Sequence, residues 1–212
     1  MSKYEQAFKH SIENPDEFWG IIADRLKWYK KWDSVSDVDY KKADIKWFLN
    51  GKLNVSYNCL DRHVEEGNGN KTAIIWEGND PAEDKKYSYS ELLIEVKKFA
   101  NVLKSNGVIK GDRVCLYLPM IPELAVAVLA CARIGAIHSV VFAGFSAQAL
   151  AARINDASCS LVICSDGANR GSKVLDLKSI VDEALQSCDC VHRVLVVNHV
   201  GLNSNWVEGR DI

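Results

Sequence analysis

VCLYLPMIPELAVAVLACARIGAIHSVVFAGF, residues 114–145, decides the fold. It opens on a short apolar run, 114–118, with no polar alternation, which is the texture of a strand buried on both faces. Pro122 suits the first turn of a helix, where a missing N–H costs nothing. Apolar residues then continue to Ile134, and Gly135 is the natural stop. A second apolar run follows at 139–142. Strand, helix and strand in this order make a parallel pair with a crossover helix.

The same alternation extends on both sides. Upstream, Ser88 and Glu91 have capping-box spacing and open a helix whose apolar stripe is Leu92, Val96, Phe99, Ala100 and Leu103, with Gly107 as its stop. A strand is predicted before it, at 72–76. Downstream, Ser146 caps a helix through Ile154, 161–164 is a strand, 177–185 a helix and 193–197 a strand. The expectation is an α/β fold: a mainly parallel sheet of five such strands with flanking helices, occupying residues 61–212. Residues 1–60 read instead as a helical and irregular arm. They hold Trp19, Trp28, Trp32 and Trp47, and a helix start at Asn14-Pro15-Asp16-Glu17. The tryptophans read as packing residues rather than as an aromatic ligand cage.

The composition, 48% hydrophobic and 25% charged over 212 residues, is that of a globular domain large enough for a substantial core. A net charge of -2 gives no basic field for nucleic acid. The longest apolar run, 124–132, is too short to span a bilayer, and MSKYEQAFKH is no secretory signal, so no membrane partner and a cytoplasmic location are expected. Of the seven cysteines, Cys115, Cys131, Cys159 and Cys164 lie in apolar stretches as small hydrophobes. Cys188-Asp189-Cys190 has no second pair to complete a zinc site.

In a parallel sheet, ligands collect at the carboxyl ends of the strands. Three segments follow strands here and should share one edge: 119–123, 142–146 and 165–173. The third carries Gly167, Arg170, Gly171, Ser172 and Lys173. Two cations three residues apart, with glycines that allow close backbone approach, could hold a phosphate. Spacing alone leaves a solvated surface loop as the stronger reading. Ala143-Gly144 is not a G-x-G-x-x-G turn, and no Walker loop, H-E-x-x-H or G-x-S-x-G occurs. Glu123, in a first helical turn, has a sufficient electrostatic reason to be there.

These stretches resemble the AMP-forming acetyl-CoA synthetases of the adenylate-forming ligase superfamily. The arm carries the resemblance in Ile45-Lys46-Trp47-Phe48, Gly51-Lys52-Leu53-Asn54-Val55 and Asn58-Cys59-Leu60-Asp61-Arg62-His63. The α/β part carries it in Gly111-Asp112-Arg113-Val114, in the run from Ala130 through Ser146, and in Trp206-Val207-Glu208-Gly209-Arg210-Asp211. The middle run is the most specific of these.

The resemblance implies an enzyme that joins acetate and ATP, with Mg2+, into acetyl-AMP and pyrophosphate, and then passes the acetyl group to coenzyme A. It implies that Arg170, Gly171, Ser172 and Lys173 match the segment gripping the coenzyme A 3′-phosphate, and that Phe142, Ala143 and Gly144 match the segment along its adenine. That reverses the reading from spacing. Relatives often carry arginine where Lys173 stands and Gly-Gly where Ala143-Gly144 stands. The family's phosphate loop, acyl pocket, hinge and catalytic lysine would lie beyond Ile212. The chain is therefore expected to be a truncated front section, inactive alone and with no catalytic residue or metal ligand of its own. A propionate or other short-chain acyl-CoA ligase, and a free-standing nucleotide-binding module without catalysis, are the alternatives.

Overall fold

The computed structural model describes residues 2–212. They fall into two compact units, one ending at Asn58 and the other spanning Cys59–Ile212.

The first unit begins with α1 (Lys3–Glu13) and α2 (Pro15–Ala23). Ser2 and Glu5 cap α1 reciprocally, at the same spacing as Ser88 and Glu91. Asn14 and Pro15 open α2, as the sequence predicts. The arm is more ordered than a helical and irregular segment, because β1 (Ser34–Asp39) and β2 (Asp44–Leu49) form an antiparallel hairpin. Two of its tryptophans pack on one another: Trp28 lies 4.9 Å from Trp32, and Phe48 lies 5.6 and 5.1 Å from the two rings, whereas Trp19 and Trp47 stay exposed. The Trp28 indole N–H donates to Ala23 O at 2.9 Å, so the ring's polar edge is satisfied.

In the second unit, β3 (Thr72–Glu77) and β4 (Asp84–Ser88) lead into α3 (Tyr89–Ser105). Then come β5 (Arg113–Tyr117), α4 (Pro122–Ile134), β6 (Ile137–Val140), α5 (Ala147–Ala157) and β7 (Leu161–Ser165). β8 (Gly167–Arg170), β9 (Lys173–Asp176), α6 (Leu177–Leu185) and β10 (Arg193–Val197) complete the order. The fold is α/β with a parallel four-stranded sheet, ordered β10-β7-β5-β6, and flanking helices. The expected fifth strand is not in it. β3 pairs antiparallel with β4, a short charged strand that lacks the apolar run marking the sheet strands. The predicted strand at 139–142 lies two residues earlier, at Ile137–Val140.

Alternate strand residues feed two cores, which is why the strands read as continuously apolar. Val114, Leu116, Leu161 and Ile163 pack with residues of α3 and α4. Cys115, Tyr117, Val162 and Cys164 pack with residues of α5 and α6. Helix ends follow their sequence signals. Ser88 and Glu91 cap each other, Gly135 takes a left-handed φ of 78° after α4, and Ser146 caps α5 through Ala149 N. Residues 210–212 run parallel beside β10: Val194 N donates to Arg210 O, Ile212 N to Val194 O and Val196 N to Ile212 O.

Candidate functional site

The strand order creates a switch point. From β5 the chain crosses through α4 to β6 on one side, whereas from β7 it crosses through α6 to β10 on the other. Ligand crevices form between the carboxyl ends of two such strands. A cleft of about 500 Å³ opens there. Leu118, Pro119 and Met120 come from the end of β5, Val141, Phe142 and Ala143 from the end of β6. Ala168, Asn169, Arg170 and Leu175 come from the segment after β7, so all three predicted segments do meet along one edge.

The third segment is not a loop. β8 and β9 form an antiparallel hairpin in which Arg170 pairs with Lys173 across the two-residue turn Gly171-Ser172. Gly171 has φ 59°, which puts a glycine at the first turn position, as a type II′ hairpin requires. The spacing hid this because each arm is only four residues long. In a ladder, directly opposed residues point to the same face. Arg170 and Lys173 are both solvent-exposed there.

Of the residues the sequence singles out, Phe142, Ala143 and Arg170 line the cleft together. Gly144, Gly171, Ser172 and Lys173 do not line it; the last three belong to the hairpin tip. Phe142 is 65% exposed and meets Phe145 edge-on at 5.8 Å, so its ring stands at the mouth. Tyr117, fully buried, donates its hydroxyl to Phe145 O at 2.8 Å and ties this segment to the sheet. Burial pushes that phenol above its ordinary pKa. Asn79 Nδ2 reaches Gly171 O at 3.5 Å, a contact nothing in the sequence announces.

The base of the hairpin is organised by Asp166, which the sequence shows only as one residue of a loop. Its buried carboxylate accepts N–H groups from Gly167 (2.8 Å), His199 (2.8 Å), Val200 (3.1 and 3.2 Å) and Leu202 (2.8 Å). Burial alone would raise its pKa, but the N–H groups of His199, Val200, Leu202 and Gly167 outweigh burial and hold it below the ordinary carboxylate value.

Chemically the cleft is a binding surface. Its walls are apolar, and among its lining residues only Asn169 and Arg170 are polar. It holds no acid, base or nucleophile. It suits a flat apolar group carrying an anion toward Arg170. Among the described residues no group of three His, Cys, Asp or Glu is placed to hold a metal, and no helix is long and apolar enough to cross a membrane.

Known proteins are similar to this chain along its whole length. Residues 60–210 match the family model for AMP-binding enzymes, and residues 4–59 that for the acetyl-coenzyme A synthetase N-terminus. An acetyl-coenzyme A synthetase of Magnetococcus marinus is 55% identical over 99% of the chain, which covers 33% of that protein. One from Leptospira biflexa is 54% identical over 100% of the chain, again 33% of the relative. The chain thus spans about a third of the length of the curated relatives it matches. In structure it is similar to acetoacetyl-CoA synthetase from Streptomyces lividans, with a TM-score of 0.87, 23% identity, and coverage of 100% of this chain and 32% of that one. That likeness concerns the fold: the same parallel sheet with the same flanking helices. Since the family match runs through all four strands of that sheet and through the hairpin bordering the cleft, the chain belongs to the AMP-binding enzyme family.

Proposed function

We propose that the chain is the front section of an acetate–CoA ligase, and that its own share of the work is to bind one end of coenzyme A. In the whole enzyme, acetate and ATP give acetyl-AMP and pyrophosphate. Attack by the coenzyme A thiol then gives acetyl-CoA and AMP. Mg2+ accompanies ATP in the whole enzyme; among the described residues no group of three His, Cys, Asp or Glu is placed to hold it. The substrates are small molecules and the location is cytoplasmic.

The observation that carries the binding role is the cleft with its cationic rim. Phe142, Ala143 and the apolar floor would receive the adenine, with Gly144 beside them. Arg170 and Lys173, opposed across Gly171-Ser172, would hold the 3′-phosphate. A phosphomonoester concentrates charge that a guanidinium can take with two parallel hydrogen bonds, while Lys173 contributes as a point charge. The identities above 50% with acetyl-coenzyme A synthetases support acetate as the acyl substrate.

The test compares coenzyme A with dephospho-coenzyme A by calorimetric titration of the 212-residue chain. Coenzyme A is expected to bind about tenfold tighter, the worth of one charge-assisted contact. Equal curves would overturn the phosphate assignment. The same chain, given ATP and acetate, is expected to release no acetate-dependent pyrophosphate.

A further inference from the structure

Arg170 and Lys173 can select a phosphate only if the hairpin that carries them is held in one place. The hairpin is short, and its tip is exposed. At the tip the hairpin has the long Asn79 Nδ2 contact to Gly171 O, at 3.5 Å, and firmer contacts lie at its base.

Three observations meet there. Asp166 is the single residue between β7 and β8, and its backbone is fixed on both sides: its N–H donates to Val197 O at 2.9 Å, and its C=O accepts from Lys178 N at 3.3 Å. Its carboxylate gathers the N–H groups of His199, Val200 and Leu202, and so draws the segment after β10 inward. That segment in turn seats Val200 and Leu202 on Gly167, the first residue of the hairpin. A Cβ there would lie 2.7 Å from Val200 Cγ2 and 2.8 Å from Leu202 Cδ1. The other side of Gly167 is closed by Leu175 O of β9, 2.7 Å from the same point. The hairpin is thus gripped at its root between its own second strand and a segment whose backbone N–H groups Asp166 gathers, with the His199 ring also against Trp76.

We infer that Asp166 is a positioning residue for phosphate recognition: by clamping residues 199–202 onto the root of the β8–β9 hairpin, it fixes where Arg170 and Lys173 are presented. The inference rests on the coenzyme A reading above. Asp166 touches no ligand in this account. It acts through the hairpin, and its charge matters because two oxygens must both accept: Oδ1 takes Gly167, His199 and Val200, and Oδ2 takes Val200 and Leu202.

Asp166→Asn is the natural probe. It keeps the volume but turns one accepting oxygen into an NH2 donor, which then faces N–H donors. Binding of coenzyme A and of dephospho-coenzyme A is measured for the wild-type chain and for the variant, with circular dichroism to establish folding. The wild type is expected to prefer coenzyme A about tenfold. The folded variant is expected to lose that preference, to about onefold, while its dephospho-coenzyme A affinity stays within about twofold. A merely structural aspartate would change both affinities together or neither. A folded Asp166→Asn chain that keeps the tenfold preference overturns the inference and leaves the coenzyme A reading standing. A wild-type chain with no preference overturns both.

Amide hydrogen exchange on the wild type decides the case in which the variant does not fold. Coupling between sites is reciprocal. Saturating coenzyme A should therefore slow exchange at His199, Val200 and Leu202, and dephospho-coenzyme A should not. Equal exchange at these amides with both ligands overturns the inference.

Discussion

Replacing Lys178 with methionine tests a fully buried charge. Lys178, on α6, is fully buried. Its ammonium lies 2.7 and 2.8 Å from the two carboxylate oxygens of Asp182, 2.9 Å from Asp211 and 2.9 Å from the carbonyl of Asn205. Arg210 bonds the same two carboxylates, so two cations and two anions cancel. Methionine fills much of the same volume but removes one cation, leaving Asp211, whose side chain is 0% exposed, with half its compensation. Breaking a buried ion cluster by removing one partner costs about 3–5 kcal/mol. At about 2–4 °C per kcal/mol for a domain of this size, the melting temperature should fall by about 6–20 °C at pH 7.

The pH dependence has a definite sign. Burial would raise the Asp211 pKa, but Arg210, the Val207 N–H and Lys178 outweigh it and hold the carboxyl below its ordinary value. A depressed folded pKa gives stability that is present above the unfolded value, ~3.9, and is lost as pH falls through the folded one. The gap between wild type and Lys178→Met should therefore be full at pH 7 and shrink below about pH 4. In a cycle, Lys178→Met with Asp211→Asn should cost less than the sum of the single changes by about 1 kcal/mol or more, because the pair restores neutrality. Calorimetric melts across this pH range read all three quantities. A melting temperature within about 2 °C of wild type at pH 7 would refute the reasoning, since no buried charge of this kind is lost so cheaply.

Arg133 holds the buried Asp61 with a fork of two bonds at 2.7 and 2.8 Å; Arg133→Lys keeps the charge but not the fork, and the urea midpoint should fall by the equivalent of about 1–3 kcal/mol with an unchanged slope. Thiol labelling at pH 8 should be fast at the exposed Cys59 and slower at the half-buried Cys190. Burial pushes Cys159 up to about 11 and Cys131 and Cys164 up to about 12, so these should label only after unfolding; prompt labelling of any of the three would contradict the packing of the sheet. Lys173→Glu should abolish any preference for coenzyme A over dephospho-coenzyme A and slow hydrogen exchange in the hairpin, because it replaces an opposed like-charge pair by an attractive one.

What was legible in the sequence is what each segment settles for itself. β5, β7 and β10 announce themselves because they are apolar toward both cores, and their crossover helices because Pro122, Gly135 and Ser146 satisfy helix ends locally. The signal for α1 is also in the sequence, in the capping box of Ser2 and Glu5. β4 was illegible for a different reason. Its sequence, Asp84-Lys85-Lys86-Tyr87-Ser88, is charged and mostly exposed, so its strand conformation comes from the backbone ladder to β3 and not from an apolar face. The Lys178 cluster was hidden by distance, since Asp211 lies far along the chain and reaches α6 only when residues 210–212 pair beside β10. At Asp166, the three donors from the segment after β10 lie 33 to 36 residues away.

The hairpin at 167–176 shows why the candidate site was harder to read than the fold. In an extended segment, residues three apart point to opposite faces, so Arg170 and Lys173 read from spacing alone make a poor anion site. The turn at Gly171-Ser172 inverts that, because residues paired across a hairpin share a face. The same geometry sets two like charges side by side, which disfavours the free hairpin by about 0.2–1 kcal/mol. A bound dianion would convert this repulsion into two attractions. On the proposed coenzyme A reading the hairpin prepares the site, with its ordering cost met during folding rather than on binding. Such preparation is useful only if the root does not swing, and the root is where Asp166 collects its N–H groups. A glycine at 171 closes the turn, a glycine at 167 lets Val200 and Leu202 approach, and a carboxylate keeps them there. Each is unremarkable in the sequence, and together they place two surface cations side by side on one anchored hairpin, as the proposed phosphate site requires.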